Sequence, residues 1–157
     1  MMFKTHFGET VTVVLAMVMG VIMSVSSMFV DHLDVNFSNF FKAWGMITLV
    51  ILLASVLIPY KDWSRKFTAL FPVREGGAAY RLIDNIVPSL VLNTCNTVIV
   101  SACMILYNPE IPAEAQMSAW TAGIVHDWPI MFVISYLGAF IAEAVGVKVA
   151  EKYCKVS

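Results

Sequence analysis

Long apolar stretches separated by short polar segments dominate the chain. Four of them approach the roughly 20 residues that an α-helix needs to cross the hydrocarbon core of a bilayer. They cover residues 11–30, 40–58, 86–107 and a last stretch that starts near residue 118 and continues to residue 142. The pattern therefore predicts an all-α membrane protein, a four-transmembrane-helix bundle.

Charged residues and prolines mark the ends of these spans. Asp31 and His32 follow the first span, and Pro59 ends the second because proline cannot continue a helix without losing a hydrogen bond. A signal peptide is an alternative interpretation of the first stretch, since Lys4 precedes it and small residues lie near its end. Its long apolar run favours a membrane span.

The fourth span has two interpretations. His126 and Asp127, followed by Trp128 and Pro129, interrupt its apolar run. Either the membrane part begins at Trp128 and continues toward residue 147, or His126 and Asp127 lie inside the outer leaflet. Ionisable groups within a span are expensive and mark functional sites by default.

The composition excludes most soluble classes. Of the 157 residues, 59% are hydrophobic and 13% charged, against about 25% charged in an ordinary soluble domain. A soluble enzyme, a disordered chain and a nucleic-acid binder are thereby excluded. We expect one integral membrane domain over 1–157, with helical hairpins at 11–60 and 85–150 and a cytoplasmic loop at 61–84.

Basic residues fall almost entirely on one side of this topology. Nine of the ten are Lys4, Lys61, Arg65, Lys66, Arg74, Arg81, Lys148, Lys152 and Lys155. They flank the spans at the N-terminus, in the central loop and at the C-terminus, while the opposite loops hold only Lys42. The positive-inside rule predicts a multi-pass protein of the cell (inner) membrane with both termini in the cytoplasm.

The central loop contains an amphipathic pattern. Trp63, Phe67, Leu70 and Phe71 recur at helical spacing beside basic residues. Such a helix lies in the headgroup layer, with its apolar stripe in the membrane. A continuation of the second span that packs on its neighbours is the alternative.

The two halves of the chain are similar to each other. Residues 21–24 (VIMS) match residues 98–101 (VIVS), and Ala43-Trp44 match Ala119-Trp120. These matches predict a parallel tandem repeat of two helical hairpins. Each half resembles a bacterial two-helix membrane domain of unknown function, with a Met- and Ser-containing first helix and a Trp near the start of the second. This resemblance implies two copies in tandem and brings no established activity.

Small residues on one face of the first span predict close helix packing. They are Ala16, Gly20, Ser24 and Ser27. Helices in lipid associate through such close contacts and through interhelical hydrogen bonds. The third span is the most polar of the four, which places it at the centre of the expected bundle.

A polar path is the main functional hypothesis. Its residues are Asn93, Asn96, Thr97 and Ser101 on the third span, with His126 and Asp127 at the outer mouth. A carrier or channel-like protein for a small solute predicts a hydrated cavity beside them. A scaffold, partner subunit or assembly factor predicts a tightly packed bundle with every polar group satisfied. Both hypotheses allow a homo-oligomer or a membrane partner protein within the bilayer.

The sequence gives little support for a metal site, a haem or a catalytic site. Asp31, His32 and Asp34 are weak candidates for metal ligands, because no segment has the spacing of a zinc motif. The chain has three histidines, and none lies deep within a span, where a haem would need a pair of them as ligands. We therefore predict no cofactor, no catalytic residues and no enzymatic activity.

Overall fold

The computed structural model describes residues 7–30 and 36–154. Over these ranges it is built from helices alone. They are α1 (Phe7–Val30), α2 (Phe37–Leu57), α3 (Tyr60–Thr68), α4 (Ala78–Asp84), α5 (Ile86–Leu106) and α6 (Ala113–Tyr153). Helices α1, α2, α6 and the consecutive pair α4–α5 are long and apolar enough to cross a membrane. The predicted all-α fold with four such helices is confirmed.

The four long helices pack as a ring. Helices α1 and α5 each pack against both α2 and α6, while the diagonal pairs make little contact. The most extensive interface joins α1 to α6. The third span, α5, is thus one member of the ring, and the prediction that it lies at the centre is wrong.

Small residues on α6 create the close contact with α1. Ala142 is fully buried, and a Cβ atom added at Gly146 would lie 3.1 Å from the carbonyl oxygen of Val11. A Cβ atom at Gly138 would lie 3.2 Å from Cγ2 of Ile22. Backbones that approach this closely gain dispersion energy that lipid tails cannot replace.

The predicted packing face of α1 is mostly buried. Ala16, Gly20 and Ser24 are buried and Ser27 is half-buried. Thr48 and Trp44 of α2 lie over Gly20, so that a Cβ atom there would overlap the Thr48 hydroxyl and lie 2.9 Å from Trp44 Cδ1. Glycine at this position allows α1 and α2 to cross closely.

Helix α6 continues through the polar interruption. Its 41 residues include Pro129 and span about 60 Å at 1.5 Å per residue. His126 and Asp127 lie inside this helix, within one turn of the level at which Trp128 contacts Asn93 and Thr94 in the middle of α5. The polar interruption therefore does not mark the start of a helix.

Helix α3 begins after the break at Pro59 and docks through its polar face. Ser64 Oγ lies 2.5 Å from both the carbonyl oxygen and Oδ1 of Asp84, and Thr68 donates to the same carboxylate at 3.3 Å. Trp63 and Leu70 of the predicted apolar stripe remain 48% and 78% exposed. Helix α3 is therefore separate from α2, and its apolar side remains exposed.

The two hairpins use their matching tryptophans differently. Trp44 donates its indole hydrogen to the carbonyl oxygen of Met17 at 3.1 Å. Trp120 donates to the carbonyl oxygen of Val98 at 3.3 Å. In the predicted repeat Val98 corresponds to Val21, which lies one turn beyond Met17 on α1. The tandem repeat remains a prediction.

Candidate functional site

The polar side of α5 divides into a packed part and a part that lines a cavity. Ser89, Asn93 and Asn96 are all buried. Ser89 bonds to the side chain of Asn85, which in turn donates to the carbonyl oxygen of Tyr136 on α6. The end of α5 near Asn85 is therefore closed by hydrogen bonds between α5 and α6.

Asn93 belongs to the packed part. Its side-chain amide donates to the carbonyl oxygen of Trp128 at 3.0 Å, and it is fully buried. In return, the Trp128 indole donates to the hydroxyl of Thr94 at 2.9 Å. Asn93 lies outside the cavity wall described next, so the structure separates it from the other residues of the predicted path.

A cavity of about 630 Å³ lies beyond Asn93, between the four long helices. It extends from Asn96, in the middle of α5, to Asn108 and Ile111 in the connection that follows α5. Five of the predicted path residues line it: Asn96, Thr97, Ser101, His126 and Asp127. The structure thus brings residues from two helices to one wall, as a solute-binding site requires.

Asn96 leaves a polar atom without a strong partner at the inner end of the cavity. Its side-chain nitrogen faces the sulfur of Met23 at 3.9 Å. A thioether sulfur accepts hydrogen bonds but cannot donate them, so the nitrogen faces it and the carbonyl oxygen points elsewhere. That oxygen is buried and has no hydrogen-bond partner within the described part of the chain.

His126 and Asp127 are adjacent in sequence and form a hydrogen-bonded pair on the cavity wall. The ring Nδ1 of His126 lies 2.7 Å from Oδ1 of Asp127. The histidine side chain is 68% exposed and the aspartate side chain 21% exposed. The second carboxylate oxygen, Oδ2, makes no hydrogen bond to any other described residue and lies 3.9 Å from the position that a Cβ atom on Gly123 would take.

The hydroxyl groups on the wall donate mainly to their own helices. Ser101 donates to the carbonyl oxygen of Thr97, and Ser27 donates to that of Ser24. The indole of Trp120 donates to the Ser101 hydroxyl at 3.0 Å. These two protons are already used, so Ser27 and Ser101 offer acceptor oxygens to a ligand.

Most of the cavity wall is apolar, and the sequence pattern did not predict the residues that form this apolar surface. Met23, Met28, Met104 and Met131 come from three helices and line the same space. Methionine side chains are flexible and fill irregular gaps, so such a wall adapts to ligands of different shape. Their sequence positions share no spacing, and only the packing of the ring brings them together.

The weak metal candidates Asp31, His32 and Asp34 lie outside the described residues. Within 7–30 and 36–154, no three His, Cys, Asp or Glu side chains gather as metal ligands would. Residues Cys95, Cys103 and Cys154 are all free thiols.

No family model, curated protein or solved structure matches this chain. The site is therefore interpreted from its own geometry.

Proposed function

We propose that this membrane protein binds a small amphipathic solute in the cavity beside Asn96 and acts as a carrier for it. The observation that supports this most directly is a cavity of about 630 Å³ whose wall includes Asn96, a side chain with a buried amide oxygen that has no partner among the described residues. A buried polar atom without a partner costs about 1–3 kcal/mol. A solute that donates a hydrogen bond to this oxygen recovers that energy.

The packing around Asn93 favours a carrier over an open channel. Below the cavity, the side chains of Asn85, Ser89 and Asn93 are buried or half-buried and make bonds within α5 or to α6. A continuous pore would need water beside these groups. A site that reaches only one end of the bundle fits alternating access, in which the helices rearrange to expose it to the other side.

A scaffold without a binding site predicts a different interior. It requires tight packing and satisfied polar groups, but three buried side-chain oxygens of the described residues have no partner: Thr48 Oγ1, Asn93 Oδ1 and Asn96 Oδ1. The cavity adds empty space of a size that a packed core avoids. Of these three residues only Asn96 lines the cavity, so the cavity and the Asn96 oxygen are the observations that favour solute binding.

The proposed orientation in the membrane follows from the distribution of basic residues. With nine of ten basic residues on the cytoplasmic side of a bacterial inner membrane, the connection after α5 faces outward. The cavity would then receive its solute from outside the cell. The resemblance to duplicated two-helix membrane domains is part of the same proposal and rests on the sequence matches alone.

Matched substitutions on neighbouring residues of α5 test the proposal. Val100 lines the cavity, whereas Ile99 is 46% exposed on another face of the helix. Val100→Phe should fill the cavity and abolish binding of small aromatic solutes, measured by equilibrium dialysis with the protein in lipid nanodiscs. Ile99→Phe adds the same ring on the other face and should leave binding unchanged.

Asn96→Leu completes the experiment. It removes the free amide oxygen and should weaken binding at least about tenfold, the size expected for one hydrogen bond. Thermal unfolding of each variant shows that the bundle is intact. Equal binding by the wild type and the Val100→Phe variant, with both folded, would reject the cavity as the site.

A further inference from the structure

The geometry points to a ligand class for this cavity: we propose that it prefers an amphipathic organic cation, an apolar body that carries an ammonium group. The inference rests on the proposed function, because it names the solute of the same site. It follows from which polar atoms the wall leaves free and which charges it contains.

Two acceptor atoms near the inner end are without a partner. Asn96 carries a buried carbonyl oxygen that no described residue binds, and Asp127 carries the carboxylate oxygen Oδ2, which makes no hydrogen bond to another described residue. The hydroxyl hydrogens of Ser27 and Ser101 are already donated to backbone carbonyl oxygens. An ammonium group has three donors and no acceptor, so it matches these atoms.

The ionisable side chains of the wall are Asp127 and its neighbour His126. Asp127 is the acidic residue of the lining, and none of the lining residues that the structure describes is Lys or Arg. A carboxylate ligand would meet Asp127 with no Lys or Arg to bind it, and the His126 ring is already turned to Asp127 Oδ1. A cation would form a charge-assisted hydrogen bond there, about twice as strong as a neutral one.

The remaining surface selects an apolar body. Methionine, valine and isoleucine side chains form most of the wall around Met23 and Val100. A polarisable thioether also makes favourable contacts with an aromatic ring. A compact arylalkyl ammonium would therefore place its charge at Asp127 and Asn96 and its ring among the methionines.

Three probes of matched shape test the preference. They are 2-phenylethylammonium, 2-phenylethanol and 3-phenylpropanoate, measured by equilibrium dialysis with the full chain in nanodiscs of neutral lipid. The cation should bind at least about tenfold more tightly than the alcohol, and the anion most weakly. Nanodiscs without protein give the partition of each probe into lipid, which is subtracted.

Asp127→Asn should reduce binding of the cation to the level of the alcohol and leave binding of the alcohol unchanged. Glu114→Gln is the matched control, an exposed acid on the same helix and outside the cavity wall, and should change nothing. Unchanged affinity for alcohol also shows that the Asp127→Asn variant is folded.

The outcomes separate the two proposals. Equal binding of all three probes, lost in Val100→Phe, would overturn the cation preference and keep the cavity as a binding site. Tighter binding of the anion would overturn the preference as well. Binding of none of the probes to the wild type would count against both.

Discussion

The side-chain amide of Asn93 donates to the backbone carbonyl oxygen of Trp128, 3.0 Å away on the neighbouring helix and directly before Pro129. The Trp128 indole donates back to Thr94 on α5 at 2.9 Å. This reciprocal pair joins α5 and α6 at the level where the packed part of the bundle ends and the cavity begins. It gives Asn93 a contact with α6 outside the cavity wall, whereas Asn96 makes no such bond to α6 and lines the cavity.

The Trp128–Thr94 hydrogen bond should show a measurable coupling energy. A double-mutant cycle with Trp128→Phe and Thr94→Val, followed by unfolding in detergent, should give about 0.6 kcal/mol and at most about 1.7 kcal/mol. As a control, the cycle of Trp128→Phe with Thr121→Val should give no coupling, because the Thr121 hydroxyl bonds to Met117 of its own helix and not to Trp128. Equal coupling in both cycles would show that the bond contributes nothing specific.

Gly20 should tolerate no side chain. Gly20→Ala places a methyl group against Thr48 and Trp44, which must shift, and should lower the free energy of unfolding by about 1–3 kcal/mol. Gly45 on the partner helix has open space around its Cα, so Gly45→Ala should be neutral or slightly stabilising. Equal melting temperatures for the two variants would contradict the close crossing of α1 and α2.

The hydropathy pattern predicted the four spans because lipid imposes a fixed length of apolar sequence on each helix. The start of α6 was harder to predict, since His126 and Asp127 interrupt its apolar run while the helix runs from Ala113 to Tyr153. A long helix tolerates Pro129 where neighbouring groups satisfy the backbone. Asn93 bonds to the carbonyl oxygen of Trp128 from another helix, a contact that no local pattern reveals.

The residues of the candidate site were likewise predictable only in part. The helical spacing of Asn93, Asn96 and Ser101 predicted one polar face, and the structure places this face toward the other helices. Spacing could not distinguish Asn93 from Asn96, since their difference depends on which atoms of α6 and α1 lie opposite each. The methionine wall depends on the ring order of the helices and has no counterpart in the sequence.

Asp84 should fix α3 to the bundle. Asp84→Ala removes the acceptor shared by Ser64 and Thr68, so backbone amides of Tyr60–Thr68 should exchange hydrogen for deuterium faster, measured by mass spectrometry. Asp62→Ala serves as the control, because its ion pair with Arg65 is exposed and contributes little. The same exchange rates in wild type and Asp84→Ala would show that other contacts hold α3.

Opposite sides of the membrane should be distinguishable by thiol labelling. In a variant whose three native cysteines are replaced, Ser38→Cys should react with an impermeant maleimide added outside intact cells, and Glu75→Cys only after lysis. Both positions are exposed in the folded chain, so burial does not limit their reaction. Labelling of Glu75→Cys in intact cells would reverse the predicted orientation.

The accessibility of Val100 to water tests the central claim most directly. In the same cysteine-free background, Val100→Cys faces the cavity and Ile99→Cys faces away from it. A charged, impermeant methanethiosulfonate reagent reacts with the thiolate, which requires water. With protein in lipid vesicles, the thiol at position 100 should react and be protected by 2-phenylethylammonium, while the thiol at position 99 should stay unreactive. Equal reactivity at the two positions, or none at position 100, would contradict a hydrated solute-binding cavity in this bundle.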